Sequence, residues 1–335
     1  MRTNLADLLA TGEPILADGA TGTNLFQVGL ESGYPPELWN VEHPDRIRSL
    51  YQSFVDAGAQ IILTNTFGGT RNRLALHGSQ DRVAELVSAA ARLAREVADA
   101  APHPVVVAGS VGPTGELFDP IGPLTHDAAV ASFREQIDAL VDGGVDVIWI
   151  ETMSAIDEIR AAATAAIDAN VPYTATCSFD SAGRTMMGLA PADLHSVFDG
   201  LAVAPLAYGG NCGVGASDLL MAAISMTDAA PGDRIVAKAN CGVPRFVGTE
   251  IVYSGTEALM GEYARLAADA GVAIIGGCCG TSPSHLAAMR AALDQRVPGP
   301  RPDLDRVVAT AGPLTNALAT DEPAPSNRRP SRRRG

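Results

Sequence analysis

The sequence predicts a single α/β domain, a (β/α)8 barrel of the TIM type. Three observations point to it: eight short apolar runs rich in β-branched residues, a helical pattern after nearly every run, and a length of 335 residues. Continuous apolar strands alternating with amphipathic helices indicate parallel strands covered by helices. Barrels of this kind commonly run past about 250 residues as one unit, so length alone does not demand two domains.

In chain order the runs are Ile15–Asp18, Gln60–Asn65, Val105–Ser110, Val145–Glu151, Tyr173–Ser178, Leu206–Asn211, Arg234–Asn240 and Val272–Gly277. The turn after the first, Asp18-Gly-Ala-Thr-Gly-Thr23, is not the Gly-x-Gly-x-x-Gly of a dinucleotide site, which argues against an open doubly wound sheet. Pro44 stands at a first helical turn ahead of Ile47, Leu50 and Phe54, and Gly58 closes that segment. Asp81 to Ala100 is the longest helical pattern, with Val83, Leu86, Val87, Ala90, Leu93 and Val97 along one face. Thr125 opens a helix that Gly143 and Gly144 end. Ser154 with Asp157 has capping-box form, and Ser217, Thr256 and Ser282 occupy similar starts. After Pro298 the composition turns to Pro, Asp, Ala and Arg, ending in Arg328, Arg329, Arg332, Arg333 and Arg334. The expectation is a barrel over residues 1–298 and a tail without fixed structure over 299–335.

With 47% hydrophobic residues the chain can bury a full core, and a net charge of -14 opposes binding to phosphate backbones, so nucleic acid is not an expected partner. Residues 1–14 lack a basic stretch followed by an apolar one, and no apolar run approaches the roughly 20 residues of a membrane span. No membrane association and a cytoplasmic location follow as expectations. Five cysteines, two of them adjacent, make a poor disulfide framework and suit a reducing compartment.

Polar and sulfur residues recur at the C-terminal ends of the predicted strands, where barrel enzymes place their active sites. Asp18 ends the first strand, Asn65 the second, Glu151 the fourth, Asn211 and Cys212 the sixth and Asn240 the seventh, while Cys278 and Cys279 follow the eighth. Glycines flank both cysteine turns and allow sharp backbone bends. Soft thiolates suit zinc, and three protein ligands leave a fourth tetrahedral position for substrate. A Cys-Cys pair can also be a buried apolar doublet or a strained vicinal disulfide, and Gly-rich turns can cradle phosphate.

The segments Leu16-Ala-Asp-Gly-Ala-Thr-Gly-Thr23, Thr64-Asn-Thr-Phe67, Gly112-Pro-Thr-Gly-Glu116, Glu151-Thr152, Gly210-Asn-Cys212 and Gly276-Gly-Cys-Cys-Gly280 carry a resemblance. From about Leu16 to Leu293 the chain resembles the homocysteine S-methyltransferase family. That resemblance implies an S-methyltransferase in which Cys212, Cys278 and Cys279 bind zinc, homocysteine is the substrate and methionine the product. It also implies that Asp18 and Glu151 hold the amino-acid end of homocysteine through its ammonium. Gly19, Asn211 and Asn240 join them as expected substrate contacts. Coordination would deprotonate the incoming thiol, and three thiolates would keep its sulfur electron-rich for attack on a methyl carbon.

The donor expected first is betaine or a related small onium compound, in keeping with free-standing bacterial proteins that this chain resembles. Trp39 is the candidate aromatic face for its cation, because Gly68 stands where the animal betaine enzyme has Tyr. The second reading is a homocysteine-activating subunit that takes methyl from a separate methylcorrinoid protein, since Thr64 to Thr70 resembles the homocysteine domain of cobalamin-dependent methionine synthase. A zinc hydrolase and a non-catalytic corrinoid-docking module are more distant alternatives. A homo-oligomer is admissible. Cys241 is expected near the site as a spectator, Cys177 in the core, and His43, His77 and His285 in surface or capping roles.

Overall fold

Residues 2–242, 244–247 and 250–316 are described by a computed structural model, which places the eight predicted runs side by side in one parallel sheet. The barrel strands are β1 (Ile15–Leu16), β2 (Ile61–Leu63), β3 (Val106–Val111), β4 (Val147–Met153), β5 (Tyr173–Cys177), β6 (Ala207–Cys212), β7 (Ile235–Ala239) and β10 (Ile274–Gly277). Between β7 and β10 the chain adds an antiparallel hairpin, β8 (Pro244–Val247) with β9 (Glu250–Tyr253), which no apolar alternation had announced. The sheet order β1-β10-β7-β6-β5-β4-β3-β2 closes on itself, because Ala17 bridges Ile61 in parallel and the Asp18 N–H donates to the Ile61 carbonyl at 3.0 Å.

Side chains alternate across each strand, so every strand feeds two cores. Inside the barrel lie Ile15, Ala17, Ile61, Leu63, Val106, Ala108, Val147, Trp149, Val236 and Ile274. The helix Leu5–Ala10 packs Leu5, Leu8 and Leu9 against the same set and stoppers the end where the strands begin. Outside, Leu16, Ile62, Val107, Ile148, Ile235 and Ile275 join the helices in a second, larger core. Continuing the alternation upward puts Ser110, Glu151, Asn211 and Lys238 on the inner face, so the interior turns polar toward the strands' C-terminal ends. That gradient positions the site.

The helix starts follow the sequence in part. Pro44 is in the first turn of the helix Pro44–Asp56, the Thr125 and Thr256 side chains accept from their own first turns, and Ser282 forms a capping box with His285. Ser154 and Asp157 form no such box: the helix begins at Ile156 after Ala155, and the Ser154 carbonyl instead accepts from the Thr185 hydroxyl at 2.8 Å. Ser217 lies inside the helix Ala216–Ala229 and donates to the carbonyls of Ala311 and Gly312.

Those last contacts bear on the tail. The stretch from Gly299 to Asn316 has structure where none was expected: Asp303 caps a helix over Leu304–Ala311, Val307 is fully buried, and Arg301 bonds the Ala270 and Ile224 carbonyls. Asp218 accepts the N–H groups of Thr315 and Asn316. Leu304, Val307, Val308 and Ala311 recur at helical spacing, but over only two turns in a stretch rich in Pro, Asp and Arg, and the sequence reading passed over them. The remainder of the expected tail, 317–335, lies outside the described residues. No helix among the described residues is long and apolar enough to cross a membrane.

Candidate metal and substrate site

Cys212, Cys278 and Cys279 converge at the C-terminal mouth, with their three sulfurs within 4.8 Å of one another. Cys212 ends β6 in the left-handed backbone region at φ 63°, followed by Gly213 at 77°, a turn that folds the sulfur back over the barrel. A left-handed non-glycine residue persists only where its surroundings hold it. Asn211, just before it, supplies that hold. Its amide oxygen accepts from the Thr152 N–H at 2.8 Å and the Thr176 hydroxyl at 2.7 Å, and its amide nitrogen donates to the Thr152 hydroxyl at 2.7 Å. Thr152 is itself left-handed, at φ 59°, where the β4–β5 register shifts. The Asn211 amide therefore ties the left-handed Thr152 to the strand end that carries Cys212.

Each sulfur has a polar neighbour. Asn211 Nδ2 lies 3.8 Å from Cys278 Sγ. Asn240 hydrogen-bonds Cys212 and donates to the Gly213 carbonyl at 2.6 Å. Tyr253, at the end of β9, lies over Gly280, where any side chain would collide with its ring, and it stands beside Cys279. Asn211 and Asn240, expected as substrate contacts, thus stand beside the cysteines as supports.

Three thiols packed together resist ionisation. For Cys212 the bond with Cys278 lowers the pKa, but the contact with Cys279 and burial outweigh it and push the thiol up to about 11. For Cys278 the hydrogen bond shared with Cys212 leads and burial adds, both upward. In Cys279 the bond with Cys212 lowers the value, and Cys278 and burial carry it up to about 12. A cluster of this kind becomes thiolate only when a cation supplies the countercharge. Its spacing fits one ion: sulfurs about 2.3 Å from a tetrahedral zinc lie about 3.8 Å apart.

Below the sulfurs is a buried charged layer. Asp18 is fully buried, and its carboxylate accepts the Leu63 N–H at 2.7 Å and the Lys238 ammonium at 2.6 Å. Glu151 faces the same space and accepts from the Ser110 hydroxyl. Burial pushes the Glu151 carboxyl up, while Lys238 and the Ser110 bond oppose it. Gly19 is used for close packing: a Cβ there would meet the Thr281 carbonyl oxygen at 2.6 Å.

The sequence reading missed Lys238, Tyr253, Ser110 and Thr152. Lys238 was findable, since the two-residue period that points Val236 inward points Lys238 inward too. Trp39 departs from its expected role. It is 4% exposed, its ring carries the Arg46 guanidinium 4.7 Å from the centroid, and His43 packs on it edge-on, so it is a core residue with no open face for a donor. Phe67, 38% exposed on the segment after β2, is one aromatic at the rim and packs where Gly112 lacks a side chain. Cys177 is buried in β5 and Cys241 is buried beside the cluster, its N–H donating to the Cys279 carbonyl at 2.9 Å.

Residues 15–293 match the family described as homocysteine S-methyltransferase. The homocysteine methyltransferase MmuM from Escherichia coli, in its metallated form, is similar at 26% identity and a TM-score of 0.71, over 85% of this chain and 98% of that one. Its oxidised form is similar at 26% identity and a TM-score of 0.72, over 86% of this chain and 99% of that one.

Proposed function

Because the chain belongs to the homocysteine S-methyltransferase family, we propose that it methylates the sulfur of homocysteine to give methionine, with zinc held by Cys212, Cys278 and Cys279. The observation that carries this reading is the convergence of three sulfurs above a buried carboxylate layer inside one barrel. Zinc bound there would supply the Lewis acidity that lowers the pKa of a thiol brought to its fourth position.

The chain's own residues account for the rest. Asn211 hydrogen-bonds Cys278, Asn240 ties down the turn after Cys212 through the Gly213 carbonyl, and Tyr253 stands beside Cys279, so the three sulfurs are held in one geometry. Such outer partners orient ligands and tune the metal. Glu151 offers a carboxylate to the ammonium of homocysteine, aiming its thiol upward at the cysteines. The ionised homocysteine sulfur then forms a bond to the donor methyl carbon while that carbon's bond to its onium centre breaks, and the electron pair of the broken bond stays on that centre, which becomes a neutral amine or thioether. No general base is needed once the thiol is ionised.

The proposed donor is betaine or a related small onium cation, which an anionic thiolate centre attracts. Phe67 replaces Trp39 as an aromatic group at the rim. The second reading, a methylcorrinoid protein as donor, is favoured by one observation. Phe26, Val28, Leu117, Ile121, Met186 and Met187 are half or more exposed on the segments that follow β1, β3 and β5, around the mouth. Free thiols suit a cytoplasmic setting. A donor screen with homocysteine and metal-replete protein, assayed for methionine, tests the reading. Turnover with no donor, alongside no homocysteine binding, would reject it.

A further inference from the structure

We infer that Lys238 is the permanent counter-ion of Asp18, which leaves Glu151 alone to receive the substrate ammonium. The inference deepens the homocysteine reading and rests on it. It reassigns Asp18 from a direct substrate contact to half of an internal ion pair, and makes Lys238 a positioning residue.

The pair is built into the fold. Lys238 is the second inward residue of β7, its side chain 3% exposed, and it reaches Asp18 across the strand order β7-β10-β1. The intervening strand makes room with Gly276, where a Cβ would lie 3.0 Å from Lys238 Cγ and 3.1 Å from the Asp18 carbonyl oxygen. Trp149 underlies the ammonium at 5.7 Å from its ring centroid. Asp18 spends its other oxygen on the Leu63 N–H. Both carboxylate oxygens of Asp18 therefore have partners within the protein, and its zero exposure leaves no side open to a ligand.

Charge counting gives the consequence. Two buried carboxylates without a cation would repel, and one would take a proton. Lys238 opposes the upward push that burial gives both carboxyls, and its charge offsets one of the two, so the layer has room for one further cation, the substrate ammonium. Burial works against the charge on Lys238, but Asp18 and Glu151 outweigh it and hold the ammonium above its usual range. A buried pair broken on one side leaves an uncompensated charge, which is worse than losing both. For this site an unpaired Lys238 would also repel the substrate's own ammonium.

The test compares Asp18→Asn, Lys238→Met and the double variant with the wild type, all metal-replete. It measures homocysteine binding by calorimetry, KM and kcat separately, metal content, and melting temperature. Asp18→Asn should weaken homocysteine binding at least tenfold and raise KM with little change in kcat. Adding Lys238→Met should restore binding to within about threefold of wild type. If Asp18 instead touches the substrate, the double variant will bind as poorly as Asp18→Asn, and the inference is overturned. Melting temperatures give an independent check. Each single variant should melt lower than wild type and the double should recover part of that loss, whereas fully additive losses count against the pair. If wild-type protein binds no homocysteine, the homocysteine reading falls, and the melts still decide whether the two residues act as one unit.

Discussion

Asn211 spans the barrel mouth to Thr152: its amide oxygen takes the Thr152 N–H at 2.8 Å and its amide nitrogen gives to the Thr152 hydroxyl at 2.7 Å. The same nitrogen faces Cys278, 3.8 Å away. One amide thus fixes two left-handed residues and one candidate ligand. Asn211→Ala should lower metal affinity about tenfold to a hundredfold, the usual range for an outer partner. It should also reduce stability by about 1–3 kcal/mol by leaving buried donors unpaired. Competition with a chelator and chemical unfolding measure the two effects, and wild-type values in both would refute the bracing role.

The cysteines should separate into two groups. Cys212→Ser, Cys278→Ser and Cys279→Ser are each expected to remove most bound metal and activity while the barrel stays folded. Cys177→Ala and Cys241→Ala should keep about one metal ion per chain. Metal analysis with circular dichroism checks this, and full activity in a metal-free preparation would eliminate the proposed centre.

Metal binding should weaken as pH falls. The Cys212 and Cys279 thiols, pushed up to about 11 and about 12, are protonated in the metal-free protein at neutral pH. Binding must expel those protons, so lowering the pH by one unit costs about a factor of ten in affinity per proton released. Two or three released protons predict a loss of roughly a hundredfold or more between pH 8 and pH 7. A flat affinity profile over that range would mean that the thiols are already ionised.

Glu151→Gln separates substrate from metal. Losing a charge-assisted contact costs roughly 1.5–3 kcal/mol, so KM for homocysteine should rise on the order of tenfold to a hundredfold. Metal content should not change. Unaltered kinetics would place the substrate ammonium elsewhere.

Two truncations test the boundary. Ending the chain at Pro298 removes buried Val307 and the Arg301 bonds to the Ala270 and Ile224 carbonyls, and should lower stability by about 2–4 kcal/mol. Ending it at Asn316 keeps all of those contacts and should melt close to the full chain. Equal melting of the two truncations would restore the boundary near residue 298.

The barrel was legible because its strands are short apolar runs with glycine or helix signals between them, and the eight predicted runs coincide with the eight barrel strands. The cysteines were legible because glycine turns repeat at two strand ends. What escaped depends on contacts between distant segments. The period of β7 points Lys238 inward, but its pairing shows only once β7 is placed two strands from Asp18, and Trp39 reads as an available aromatic until Arg46 is seen on its face. The two-turn apolar pattern of Leu304, Val307, Val308 and Ala311 was too short to stand out in a polar tail, and the helix after β4 begins at Ile156 with Ala155 before it, one residue later than a Ser154 cap would place it. Local patterns announced the elements, whereas pairings across the fold decided which polar residues were free to act.

The sheet order gives the last strand a particular standing. β10 lies between β7 and β1, so it is the final stave of the barrel, and it carries Cys278 and Cys279 just beyond its end. A chain emerging from the ribosome has Cys212 long before it has the other two sulfurs, and it holds them near Cys212 only after the ring of strands has shut. The proposed centre would therefore reach full metal affinity only once β10 has joined the sheet. A partly made barrel offers one of the three sulfurs, so the proposed centre would be complete only in chains whose last strand has docked.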